Sequence, residues 1–196
     1  LLGVKRDVNK NTDLPAKCWD GVRVRVTGEN KDRADDVYYE YNSEGATKNG
    51  IWEECRGWDQ LYKIDATTMP HLLVRESDGT FTFKQAEWDE AWVGDEYSAD
   101  CPSFIDCTIA DIFFYRGRLG IIADESIILS RHHDYYNFWP KTATTVVATD
   151  PIDVATSHIK VSLLRHAVPF KESLLLFSDQ TQFQMSDGGT ANLSPE

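Results

Sequence analysis

Positive charge is what this sequence has too little of. Twenty lysines and arginines face 32 aspartates and glutamates, for a formal net charge of −12. A protein that grips nucleic acid offers a basic stripe to neutralise phosphates. The basic residues here are scattered, which disfavours tight or sequence-reading DNA binding. Passage of DNA along the surface without sticking is compatible with this balance, since like charges repel over a screening length of about 8 Å at physiological salt. Long apolar runs are also missing. Runs such as LLLF at residues 174–177 fall far short of the ~20 residues a bilayer span needs. No N-terminal stretch has the charged, apolar and small-residue order of a signal peptide. The chain opens on Leu1-Leu2-Gly3 without an initiator Met and closes on Pro195-Glu196, so it is expected to be an excerpt of a longer polypeptide.

Chemistry-bearing motifs are as scarce. Of the four cysteines, Cys18, Cys55, Cys101 and Cys107, only the last two are close, and no CxxC pair or zinc-finger histidine spacing occurs. They read as ordinary buried or half-buried thiols, although an even count also allows two disulfides. There is no GxSxG elbow, no Walker or Rossmann glycine loop and no HExxH. His132-His133-Asp134 follows a strand pattern, and adjacent histidines on a strand would point to opposite faces, so it reads as a structural loop. The acid pairs Asp35-Asp36, Glu53-Glu54 and Asp124-Glu125 sit at turns or on wet strand faces as solvated charge. Ser186-Asp187-Gly188-Gly189 is a turn signal, and Asp78 and Asp187 lack the alternating oxygen ligands of a calcium loop. No catalytic, cofactor-binding or metal-binding residue is assigned, and an enzyme is not expected.

What the sequence does have is aromatics, with six Trp, eight Tyr and nine Phe, and short strand-like runs between turns. Residues 22–27 (VRVRVT) alternate apolar and charged, the mark of a strand with one wet face. Residues 37–41 and 51–55 form a hairpin around a long tip that ends at Asn49-Gly50, and residues 71–76 and 80–83 form another around Ser77-Asp78-Gly79. Residues 1–85 therefore read as a small antiparallel β domain. Residues 86–110 read as a connector with Trp88 and Trp92 as aromatic anchors; their spacing allows a short helical turn, which Gly94 and Pro102 keep from lengthening. Residues 111–196 read as further strands at 112–115, 118–122, 126–130, 144–148, 152–155, 161–168, 173–177 and 180–185. The spacing of eight to twelve residues between turns predicts a mainly β fold with incomplete propeller-like or sandwich-like sheets in this region. The aromatics are read as core or interface packing, since they suit half-buried pleated surfaces; the alternative is a carbohydrate-binding or depolymerising module that uses Trp52, Trp58, Trp88, Trp92, Tyr38, Tyr39 and Tyr41 as a sugar platform.

Several long motifs carry a resemblance. They are TTMPH (67–71), DIFFYRGRLGIIADESIILSRHHDYYNFWP (111–140), TDPIDVA (149–155), LLRHAVPF (163–170) and LLLFSDQTQF (174–183). The string resembles the tail nozzle proteins, or tail tubular proteins B, of short-tailed bacteriophages over about residues 14–185. It departs from their pattern at His132-His133, where a small residue and a glycine are expected. The resemblance implies a virion tail protein assembled in the host cytoplasm. It further implies a homo-oligomeric ring of six copies below the portal and its adaptor, a genome conduit, and tail fibres attached nearby. It carries over no catalytic residue and no cofactor. Arg116 and Arg118, which flank Gly117, are candidates for structural ion pairs with Asp124 or Glu125 of the next turn. Asp150-Pro151 reads as a turn that sets the direction of the following strand, because proline restricts the residue before it to extended geometry.

Overall fold

A computed structural model describes residues 5–29, 32–43, 49–58, 60–157 and 162–186. The fold is mainly β, built from separate sheets, none closed into a barrel. It divides into two compact units that interleave along the chain. The first holds residues 1–62, 91–101 and 140–146, and the second holds 63–90, 102–139 and 147–196.

The first unit is one four-stranded sheet in the order β1 (Asp7–Val8), β2 (Arg23–Val26), β3 (Val37–Ser43), β4 (Gly50–Cys55). The alternation of VRVRV comes out as expected: Val24 and Val26 are buried while Arg23 and Arg25 reach acids on the wet face, Glu40 at 2.5 Å and Asp7 at 2.9 Å. The two-residue β1, which runs parallel to β2, is too short for any periodicity to reveal. Val37 and Tyr41 complete that buried face, while Tyr38, paired with Arg25, is buried on the opposite side of the sheet. Tyr38 donates its hydroxyl to Asp95 at 2.7 Å, and Asp95 also accepts from the backbone N–H groups of Tyr97 (2.9 Å) and Ser98 (3.1 Å). Burial pushes the Asp95 carboxyl upward, but these hydrogen bonds outweigh it and hold the group below the usual carboxylate range.

In the second unit, β5 (His71–Arg75) and β6 (Phe81–Gln85) form a hairpin whose strands, among the described residues, pair only with each other. The turn is the expected Ser77-Asp78-Gly79, with Asp78 accepting from the N–H and hydroxyl of Thr80. The segment at 86–103, whose residues 91–101 belong to the first unit, is irregular; the helical turn allowed by Trp88 and Trp92 does not form, and Trp88 is buried while Trp92 is exposed.

β7 (Ile109–Tyr115), β8 (Arg118–Ala123), β9 (Ser126–Leu129) and β10 (Ile152–Ala155) make an antiparallel meander, and β11 (Leu164–Phe170), β12 (Ser173–Ser178) and β13 (Gln182–Met185) make a second. The two sheets share a core. Phe113, Tyr115, Ile122, Ile127, Leu129 and Ile152 from the first meet Leu164, Ala167, Leu174 and Leu176 from the second. All six residues of β8 are buried, as a central strand covered on both faces should be. The run at 144–148 is not a strand: residues 147–150 form a turn in which Asp150 accepts from the Val147 N–H at 2.9 Å and returns its own N–H to Val147 O at 2.8 Å. His158, expected in strand territory, and the turn signal around Asp187 lie outside the described residues.

Gly120 fixes how the first of these sheets packs. It pairs across the ladder with Phe113, whose ring lies over it so closely that an added Cβ would fall 2.2 Å from Cζ. Phe113 is buried, so the ring has little room to retreat. Gly120→Ala is expected to destabilise the chain by about 1–3 kcal/mol through overpacking, measured as a lowered urea midpoint with an unchanged slope. A midpoint equal to that of the unsubstituted chain would show that the ring moves freely.

Candidate functional site

The turn from β7 to β8 has two central residues, Arg116 (φ 47°) and Gly117 (φ 70°), both left-handed as a type I′ hairpin turn requires. The turn fixes Arg118 as the first residue of β8, opposite Tyr115. Arg118 is 1% exposed. Its guanidinium donates to three backbone carbonyls, Ser130 O at 2.7 Å, Asp150 O at 2.6 Å and Ala148 O at 2.8 Å. Thr149 O lies at 3.5 Å. One side chain thus holds the end of β9 and the whole 148–150 turn to the start of β8. This is why TTVVA at 144–148 does not enter a ladder despite its β-branched composition: the carbonyls at its end are used by an arginine instead of a neighbouring strand. Burial draws the Arg118 pKa down, and the Asp150 carboxylate opposes that shift. A guanidinium is too strong a base to lose its proton inside a protein, so the group stays cationic.

The four residues expected to pair are placed differently. The Arg116–Gly117 and Asp124–Glu125 turns cap opposite ends of the six-residue β8. At about 3.3 Å per residue they stand roughly 17–20 Å apart along the strand, too far for Arg118 to reach the acids. Arg116 instead donates to Glu172 O at 3.1 Å, the carbonyl that also receives the Tyr115 hydroxyl at 2.6 Å, and so ties the β11–β12 turn to the first sheet. Asp124 and Glu125 hold the chain that returns toward β11. Asp124 O accepts from Leu164 N, Glu125 O from Thr156 N, and the Glu125 carboxylate from Ser162 N at 2.7 Å.

Around this anchor the remaining suggestive residues are engaged in structure. His132 and His133 are not on a strand; His133 has a φ of 60°, so the two rings meet, with centroids 4.0 Å apart. The His133 N–H donates to Gly117 O and the His132 N–H to Thr149 O, which lays the histidine loop over the β7–β8 turn. Burial, then His133 and Arg118, lower the His132 pKa, so its imidazole is neutral at pH 7. Among the described residues no group of three or more His, Cys, Asp or Glu is arranged to hold a metal ion. The acid pairs are committed too. Asp36 is buried against Arg25, and Glu54 accepts from Thr142 and from the Ala143 N–H. The aromatics are largely packed. Trp52 lies 5.1 Å from Tyr41 and donates to Pro15 O, Trp58 sits edge-on to Tyr38, and Trp88 meets Tyr136 and Phe138. Trp19 and Trp92 are the exposed tryptophans among the described residues. The central roles of Ser130, Ala148 and Asp150 escaped sequence reasoning. The one available signal was a charged residue opening the otherwise apolar strand RLGII.

Among the described residues, the polar groups followed above are engaged in holding the turns of a β-sheet framework. The family model described as bacteriophage nozzle protein matches residues 1–196. The chain is also 41% identical over 177 residues to the tail tubular protein gp12 of Escherichia phage T7, covering 90% of this chain and 22% of that relative. The chain belongs to the bacteriophage nozzle protein family and is a structural component of a phage tail. It spans about a fifth of the length of that curated relative. No helix among the described residues is long and apolar enough to cross a membrane.

Arg118→Ala is expected to cost about 3–5 kcal/mol, because it strips three buried carbonyls of their donor and removes a cation beside Asp150, whose carboxylate also lies 4.0 Å from Arg131. Arg118→Lys should recover only part of this, since one compact ammonium does not reproduce a planar fork aimed at three acceptors. Urea midpoints of the two variants test the point; a lysine variant as stable as the parent would contradict it.

Proposed function

We propose that this polypeptide forms one sector of the wall of a ring-shaped conduit in the phage tail, built from six copies, through which the genome leaves the particle. The ring lies below the portal adaptor, carries the tail fibres nearby and is assembled in the host cytoplasm. Family membership supports the tail location, and a physical observation supports the conduit: a framework of sheets clamped by buried polar contacts carries 32 acids against 20 bases. Such a surface repels phosphates at close range and offers no basic stripe for them to settle on. The meander β7–β10 has the strand count and order of one propeller blade, which suits repetition around an axis in the longer protein. The wall acts by shape and charge and carries out no bond chemistry, a reading that fits acid pairs occupied by backbone N–H groups and an arginine.

The full-length parent protein tests this by native mass measurement, alone and with its adaptor, and by gel-shift titration with duplex DNA at low salt. A six-copy particle that leaves the duplex unshifted is expected. A parent that stays monomeric beside its adaptor, or that binds the duplex tightly, would reject the conduit.

A further inference from the structure

The sheet β11–β13 has one face on the core and one face open. Leu174 and Leu176 of β12 point into the core shared with β7–β10. The opposite face is built from three cross-strand rows: His166, Phe177 and Gln182; Val168, Leu175 and Gln184; Phe170 and Ser173. An antiparallel sheet with one face on a core ordinarily turns polar side chains to water on the other. The first unit follows that rule, with Arg23, Glu40 and Glu53 side by side across β2, β3 and β4. The outer face of β11–β13 breaks it. In a chain that is 27% charged, these three rows hold no Asp, Glu, Lys or Arg. Their one ionisable group is His166, whose ring lies 3.5 Å from Asp111 at the margin. Val168 is 47% exposed, Phe170 55% and Phe177 38%. An open depression lined by Phe170, Ser173, Leu175 and Gln184 gives an incoming side chain a seat. A contiguous uncharged, apolar patch of this kind marks a surface that something else covers.

We propose that this face is covered, in the longer protein, by the β-sheet that follows residue 196 of the same polypeptide. The inference goes beyond the conduit reading, because it assigns a contact inside one subunit. Length supplies the occupant: the stretch shared with the T7 relative is 22% of that protein, so a parent of comparable length has most of its chain outside these residues. The order of the sheets selects the part that follows. Consecutive sheets of this chain already stack, since β7–β10 leads directly into β11–β13 and the two share a core. Elements consecutive in sequence are neighbours in space about two-thirds of the time, and β13 ends at Met185, so the chain leaves from this same sheet. Stacked sheets lie about 10 Å apart with apolar faces interdigitated, which suits rows without charge. Area argues against a separable partner. The exposed apolar side chains offer roughly 300 Å², well below the ~800 Å² that each partner of a stable interface contributes. A covalently continuous sheet needs no such area, because its translational freedom is already lost.

The test uses the full-length parent protein with photoreactive benzoylphenylalanine in place of Phe177, and separately of Phe170, irradiated in a mixture of isotope-labelled and unlabelled copies. Both positions are expected to cross-link to peptides downstream of Glu196 in the same copy. Hydroxyl-radical footprinting of the unsubstituted parent should modify Phe170 and Phe177 at least tenfold more slowly than in the urea-unfolded chain. Left uncovered, the exposures above slow the reaction only about two- to threefold. Modification at that uncovered rate overturns the proposal. Cross-links between copies assign the face to a subunit contact, which overturns the proposal and leaves the ring reading standing. Cross-links within one copy to any part of the chain other than the stretch after Glu196 overturn it as well. Cross-links to that stretch in a parent that stays monomeric support this contact and overturn the ring.

Discussion

A single buried cation sets the geometry of the region that holds most of the matching motifs. Sealing a guanidinium from water costs several kcal/mol, and the arrangement is stable only if nearly every donor direction finds an acceptor. Arg118 meets that condition with carbonyls from two separate segments and with the charge of Asp150 alongside. The requirement runs outward in sequence. The left-handed Arg116–Gly117 pair places the arginine at the strand start, Gly120 two residues on gives Phe113 its seat, and the Asp150-Pro151 turn presents its carbonyls inward before feeding β10. RGRLG and TDPID, distant in the chain, are two halves of one contact.

The same logic explains how acids and aromatics are used. Several carboxylates fasten backbone: Asp95 gathers the 97–98 turn, Glu54 the 142–143 segment, Glu125 the approach to β11. Aromatic rings fill the layers between, as the edge-on pairs Tyr38–Trp58 and Phe104–Phe138 do. A wall built this way is stiff because its turns are tied internally, and its surplus of negative charge remains on the outside. Both properties suit the conduit proposed above for the longer protein.

Much of this was legible in the residues. Alternation gave β2, the β3–β4 and β5–β6 hairpins, and the meander from β7 to β9, because period-two patterning and turn residues are local signals. The mainly β character and the family followed from the same stretches. What local signals do not carry is the destination of a polar group. Arg118 looked like a partner for acids one turn away in sequence, but a six-residue strand lies between them, while its true acceptors are carbonyls, which every residue possesses and no sequence pattern marks. The strand expected at 144–148 failed for the same reason. Histidines 132 and 133 were read as a structural loop; what no local signal carried is the left-handed conformation of His133, which brings the two rings together.

The central claim is that the buried arginine makes the 147–150 turn part of the rigid core. Native-state amide hydrogen exchange of the full-length protein reads this directly at His132, whose N–H is bonded to Thr149 O, and at Asp150, bonded to Val147 O. The account predicts that both exchange with the same opening free energy and denaturant dependence as Ile121 and Ile122 in the centre of β8. Fast, denaturant-independent exchange at these two amides, with β8 still protected, would contradict it.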